Sequence, residues 1–157
     1  MLYFSNMINK YKSTLFECAD SLIKKQIHHN HSSVNGGFLC PSCKLIHGRS
    51  IDAIYAFAIC YKLTKDSKYL NAINALLDYA NNLICDDGGM YNDMQALWRY
   101  TTVFQETCLC ETYLSCKKVL KSDIFYLVIL TKEKIIDEKY KESTFGLSYF
   151  FAFSWLW

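Results

Sequence analysis

The sequence predicts an all-α fold built from antiparallel helical hairpins. The 157-residue chain contains one proline and six glycines, against roughly 8 and 11 expected from average usage. Because an all-β fold needs many turns, this scarcity favours long helices. Hydrophobic residues make up 52% of the chain, which favours a packed core over disorder. Apolar residues also recur at helical spacing in several segments separated by polar loops.

The first segment predicts a helix whose apolar positions run from Ile8 to Ile27 and which ends near 28–31. The stretch Ser32–Gly37 is polar and contains glycine, so it predicts a loop. A compact segment, Phe38–Arg49, follows this loop.

The next two segments predict a helical hairpin. Ser50 is the candidate N-cap of a helix that is apolar on more than one side, and Asp66 is the candidate cap of the next helix. That next helix has the clearest apolar stripe, with amide and acidic residues opposite, so we expect it in an outer layer. The stripe consists of Tyr69, Leu70, Ile73, Leu76, Leu77, Ala80, Leu83 and Ile84.

A further loop and a further helix complete this pattern. The loop follows Cys85, and the helix at 97–120 is apolar nearly all round, which predicts a buried inner helix. Inner and outer helices therefore alternate, joined by short and long connections, as in a toroid of α-hairpins. We expect residues 1–120 to form a partial (α/α) toroid. Residues 121–157 form an apolar and aromatic tail that does not continue this helical pattern. The tail is a candidate surface for docking or self-association.

Charge and hydropathy exclude two classes of partner. The net charge is +2 with no basic cluster, so the chain lacks the footprint of a nucleic-acid binder. No apolar run reaches the roughly 18 residues expected of a membrane span. The first residues lack the layout of a signal peptide, so we expect a cytoplasmic protein, or an exported one if the N-terminus is truncated.

The eight cysteines are then expected as thiols or metal ligands rather than disulfides. Cys40 and Cys43 form a Cys-x-x-Cys pair, which can grip a tetrahedral zinc ion from one turn. His47 and Cys85 are the candidates for the remaining ligands. A pair of reduced thiols in a tight turn is the alternative, and a redox pair is a third reading that no βαβ context supports.

His47 and Arg49 lie at the start of an inner-type helix. Many enzyme sites need an acid or base and a cation that faces carboxylates or hydroxyls, and these roles suit His47 and Arg49 respectively. The alternative is that His47 binds zinc and that Arg49 pairs with Asp52 to fix the loop.

The second loop carries Asp86, Asp87 and Asp93, with Trp98 just after it. Carboxylates beside an aromatic ring suit a sugar, and glycoside hydrolysis usually uses two carboxyl groups. An Asp-Gly turn with solvated acids is the alternative. Because two antiparallel helices return the chain to its starting end, we expect the loops 36–49 and 85–97 to form one glycan-binding rim.

Several blocks of the sequence resemble bacterial carbohydrate-active proteins with an (α/α) six-hairpin toroid, the heparinase II/III-like lyases and related glycoside hydrolases. The turn at Leu63–Leu70 is similar to the inter-helix turn of such toroids, where glycine often stands at the position of Lys65. The resemblance covers residues 10–118, an N-terminal portion of those proteins. The blocks are Gly36–Cys43, Ile46–Tyr55, Cys85–Asp93 and Trp98–Phe104.

The resemblance implies a fragment or short member of a polysaccharide-degrading enzyme, either a lyase or a glycoside hydrolase. Its partner would be a polysaccharide or oligosaccharide. Two alternatives stay open: a non-catalytic, zinc-stapled helical module that binds a glycan or another chain, and an inactive truncated remnant.

Overall fold

The computed structural model describes residues 2–29, 32–85, 89–92 and 102–120. Within these ranges the fold is all-α, as predicted, and strand-like pairing is confined to isolated bridges. The predicted domain boundary after residue 120 and the aromatic tail 121–157 lie outside them. The helices are α1 (Leu2–Ile23), α2 (Ala53–Thr64), α3 (Ser67–Asn81) and α4 (Thr102–Cys116), and a 3-10 helix (Gly48–Asp52) precedes α2.

Helices α2 and α3 form the predicted antiparallel hairpin, joined by Lys65 and Asp66. Lys65 ends α2 in the left-handed conformation, with φ of 61°, and its N–H donates to the Tyr61 carbonyl at 2.8 Å. This conformation favours glycine, which explains why glycine suits this position in similar turns. The Asp66 carboxylate accepts a hydrogen bond from the Lys68 N–H at 2.9 Å, so the predicted cap of α3 is confirmed.

The core lies between α2 and α3 and is closed by α4. Ile54 and Phe57 of α2 have no exposed surface, and α4 contributes the buried Leu109. The predicted stripe of α3 does face this core, together with Ala72 and Tyr79, which fall beside it. The buried residues of α3 are Tyr69, Ala72, Ile73, Leu76, Leu77, Tyr79 and Ala80.

The first helix ends at Ile23, short of the predicted end near 28–31. The chain turns there because Gln26 has a different role: it pairs with Phe38 in an antiparallel bridge. The buried Gln26 side-chain amide donates to the carbonyls of Gly36 at 3.0 Å and Ala72 at 3.1 Å. The end of α1 is therefore set by a contact with the loop and with α3.

Ser50 is not the N-cap of α2, contrary to the sequence-based expectation. Its side-chain oxygen accepts a hydrogen bond from the Phe38 N–H at 3.1 Å, and α2 begins three residues later, at Ala53. The hydroxyl thus fastens the 3-10 helix to the preceding loop. Across the described residues, no helix is long and apolar enough to cross a membrane.

Candidate metal cluster and loop junction

The segment between Leu39 and Ile46 folds into a tight, hairpin-like turn. These two residues pair in an antiparallel bridge. The Cys40 N–H donates to the Leu45 carbonyl at 2.8 Å, and the Lys44 N–H donates to the Cys40 carbonyl at 3.0 Å. Lys44 has a φ of 61°, a conformation that is uncommon for a residue other than glycine. The turn consequently holds both ends of the Cys-x-x-Cys motif side by side.

Three of the four predicted metal ligands come together at this turn. The ligand atoms of Cys40, Cys43 and His47 all lie within 4.8 Å of one another. Cys43 Sγ and His47 Nε2 are 2.9 Å apart. The backbone N–H groups of Cys43 and Ser42, which point at the Cys40 sulfur, lower the pKa of that thiol. The cluster lies at the surface, with Cys43 exposed and the other two partly buried.

Cys85, the fourth predicted ligand, does not belong to this cluster. Its side chain is buried, and its sulfur lies 3.9 Å from the Leu83 carbonyl oxygen. Cys85 instead opens the second loop, where its N–H donates to the Gly89 carbonyl at 2.8 Å.

The two loops meet at Gly48, as the hairpin geometry predicts. The Gly48 N–H donates to the Asn92 carbonyl at 2.6 Å. A Cβ atom at Gly48 would lie 2.2 Å from the Tyr91 carbonyl oxygen and 2.4 Å from Gln105 Nε2. Only glycine fits this approach without a backbone shift. We call this meeting point of the two loops and α4, formed by His47, Gly48, Asp52, Asn92 and Gln105, the junction.

Arg49 forms an ion pair with Asp52, three residues on. The sequence analysis gave this ion pair as the alternative to a role for Arg49 in binding substrate. The Arg49 side chain is 52% exposed, so the pairing leaves its guanidinium within reach of solvent. The other Asp52 oxygen, Oδ1, is buried and has no hydrogen-bond partner among the described residues.

The junction contains buried polar side chains that the sequence analysis did not predict. Asn92 is 4% exposed and Gln105 is fully buried. Asn92 Oδ1, both amide atoms of Gln105 and His47 Nδ1 lack a hydrogen-bond partner within the described part of the chain. Leaving such an atom unpaired costs about 1–3 kcal/mol.

Glu106 follows Gln105 on α4 and is 8% exposed. Burial raises the pKa of its carboxyl to about 8. The signal available in the sequence was the Gln105–Glu106 pair itself, since two polar residues are unexpected in a helix that is otherwise apolar nearly all round.

The remaining predicted site residues, Asp87, Asp93 and Trp98, lie outside the described residues. Of the predicted rim, the structure therefore brings together the Cys40–Cys43–His47 cluster, Arg49 and the second loop as far as Asn92.

Comparison with known proteins gives two matches. The family model described as the ulvan lyase N-terminal domain matches residues 15–142. A broad-specificity ulvan lyase from Formosa agariphila is 30% identical over 114 residues, which are 71% of this chain and 17% of that enzyme. The chain thus aligns with a small part of that lyase's length. No solved structure matches the chain.

Proposed function

This chain belongs to the family of ulvan lyase N-terminal domains, and we propose that it is a helical module of a polysaccharide lyase that binds the sugar chain beside the junction. The prediction of a polysaccharide-lyase-related family is confirmed by this membership. The finer prediction, a partial (α/α) toroid of the heparinase II/III-like kind, is part of the proposal. So is the substrate, for which the relative's name suggests ulvan.

The observation that carries the proposal is the set of unpaired buried polar atoms around Gly48. Buried polar groups in folded proteins are nearly always hydrogen-bonded, and exceptions call for an explanation. Most of the exceptions among the described residues lie at the junction, where His47, Asp52, Asn92 and Gln105 all have a buried unpaired atom. The others are Gln26 Oε1 and Glu106 Oε1. Sugar hydroxyls both donate and accept hydrogen bonds, so a glycan that displaces part of the loop surface can satisfy amide and carboxylate groups of this kind.

Arg49 supplies the positive charge that such a site needs for an acidic sugar. Its guanidinium is half exposed and is held at the junction by Asp52. A planar guanidinium recognises carboxylates with two parallel hydrogen bonds. We further propose that Trp98 stacks on a sugar ring. In this scheme His47 is engaged with Cys43, so Asp87 or Asp93 takes the proton next to the sugar carboxylate. A double bond then forms, the bond to the glycosidic oxygen breaks, and that oxygen takes a proton from water.

The test is a pair of matched substitutions in two ion pairs. Arg49→Ala breaks the pair at the junction, and Lys68→Ala breaks the comparable pair with Asp20 at the far end of the hairpin. Arg49→Ala is expected to weaken binding of ulvan oligosaccharides about 10-fold or more, in line with loss of a charge-assisted hydrogen bond. Each substitution should change the free energy of unfolding by less than about 1 kcal/mol.

Binding is measured by isothermal titration calorimetry and stability by urea denaturation. Unchanged ulvan binding in Arg49→Ala contradicts the proposed site. Equal losses of binding in both variants contradict it too, because they would reflect a general charge effect.

A non-catalytic binding module is the second candidate, and the Cys40–Cys43–His47 cluster favours it, because an ion held there would fasten the turn rather than act on a sugar. The two candidates differ in product formation. Elimination leaves an unsaturated sugar that absorbs ultraviolet light, and a pure binding module yields none.

A further inference from the structure

We propose that Cys40, Cys43 and His47 bind a zinc ion that fastens the tight turn 39–46 to the junction. The inference stands on the side chains of the turn and does not depend on the proposed glycan site. Two thiolates and one imidazole form a donor set that zinc prefers over harder cations such as magnesium or calcium.

The distances suit one ion held by three ligands. Zinc binds sulfur at about 2.3 Å and nitrogen at about 2.0–2.1 Å, so ligand atoms of a tetrahedral site lie about 3.5–3.8 Å apart. The three atoms already lie within 4.8 Å of one another. The Cys43–His47 pair, at 2.9 Å, must open slightly to accept an ion. Cys43 is exposed, so a small rotation of its side chain meets no packing resistance.

The backbone of the turn is arranged before any ion arrives. The left-handed Lys44 reverses the chain directly after Cys43, and the Leu39–Ile46 bridge closes the base of the turn. The N–H groups of Cys43 and Ser42 also point at the Cys40 sulfur. The chain consequently loses little further freedom when it binds the ion.

The position of His47 connects the metal to the junction. Its neighbour, Gly48, donates the 2.6 Å hydrogen bond to the Asn92 carbonyl. An ion on His47 Nε2 fixes the imidazole ring and, through one peptide unit, the Gly48 N–H. Zinc thereby stabilises the contact between the first loop and the second. Water can take the fourth position.

The experiment measures metal binding by the full chain, reduced and freed of metal beforehand. Titration with cobalt should give one ion per chain with a thiolate-to-cobalt charge-transfer band, and zinc should displace the cobalt. Cys40→Ser, Cys43→Ser and His47→Ala should each weaken zinc binding by about 100-fold or more. Cys18→Ser is the matched control, because Cys18 is an exposed thiol on α1, and it should bind as the unmodified chain does.

Hydrogen exchange gives a second readout. Removal of zinc should speed exchange of the Gly48 amide and leave the amides of α3 unchanged. Cobalt binding without a thiolate band overturns the proposal, as does equal zinc affinity in Cys43→Ser and Cys18→Ser. So does a Cys40–Cys43 disulfide that persists in reducing buffer. None of these measurements uses a glycan, so this proposal and the glycan site fail separately.

Discussion

The α2–α3 hairpin and the junction are neighbouring regions of the protein. They differ in whether their buried polar groups have hydrogen-bond partners. In the hairpin the buried side chains are apolar or find partners. Phe57 and Ile73 are fully buried, and the Tyr69 hydroxyl donates to Asp20 at 2.8 Å. In the junction, Gln105 is equally buried, yet neither of its amide atoms has a hydrogen-bond partner in the described part of the chain.

The contrast separates a region that stabilises the fold from one that costs stability. Burial of apolar side chains contributes roughly 1.5–3 kcal/mol each. An unpaired buried polar atom subtracts about 1–3 kcal/mol. Strain and unsatisfied groups of this kind cluster at functional sites, where a ligand relieves the cost. We therefore expect substitutions in the hairpin to lower stability and substitutions in the junction to change binding or to raise stability.

The largest effect is expected from Phe57→Ala in the hairpin. Removal of a fully buried ring leaves a cavity between α2 and its neighbours. The free energy of unfolding should fall by about 3–5 kcal/mol, as measured by urea denaturation. Leu63→Ala on the same helix is the control, because Leu63 is 48% exposed, and it should cost less than about 1 kcal/mol. Equal losses of unfolding free energy in the two variants would contradict the view that the buried hairpin residues stabilise the fold.

An intermediate effect of opposite sign is expected from Glu106→Gln. Burial raises the pKa of Glu106 from 4.5 to about 8, so the folded state keeps a proton that the unfolded state has already released. The contribution of Glu106 to stability is thus fully present below pH 4.5 and is lost as the pH rises to about 8. Glu106→Gln removes this dependence and should raise the free energy of unfolding at pH 8 by about 1–3 kcal/mol.

Denaturation curves at several pH values measure this effect. Glu111→Gln, on the same helix but less buried, is the control and should follow the unmodified chain. Parallel pH profiles for the unmodified chain and Glu106→Gln would show that the carboxyl is not desolvated in solution.

The smallest effect is expected at the hairpin turn, from Lys65→Gly. Glycine adopts the left-handed conformation without the steric cost that lysine bears. The gain is offset in part by loss of the contact between Lys65 Nζ and the Tyr61 ring, 5.5 Å apart. We expect a net rise of about 0.5 kcal/mol in the free energy of unfolding. Lys62→Gly, inside α2, should instead lower it by about 1 kcal/mol, and the same sign for both would contradict this account.

The apolar periodicity by itself determined the helices, the hairpin and the face that α3 buries. Those features depend on residues a few positions apart along one helix, so a local pattern is enough to predict them. The Asp66 cap is local in the same way. The Cys-x-x-Cys spacing and the nearby His47 also predicted that these three side chains lie together, because one turn of chain holds them.

Only the tertiary structure decided the features that join distant parts of the chain. Gln26 lies beyond the end of α1, where its side-chain amide donates to the carbonyls of Gly36 and Ala72. The Ser50 hydroxyl accepts a hydrogen bond from the Phe38 N–H instead of capping α2. Cys85 lies outside the cluster of Cys40, Cys43 and His47. Gln105 is buried against Gly48. In each case the burial or the partner comes from another element, and side chains lose hydration and gain contacts only when those elements pack. The pattern of residues that are close in sequence therefore does not predict which distant elements pack together.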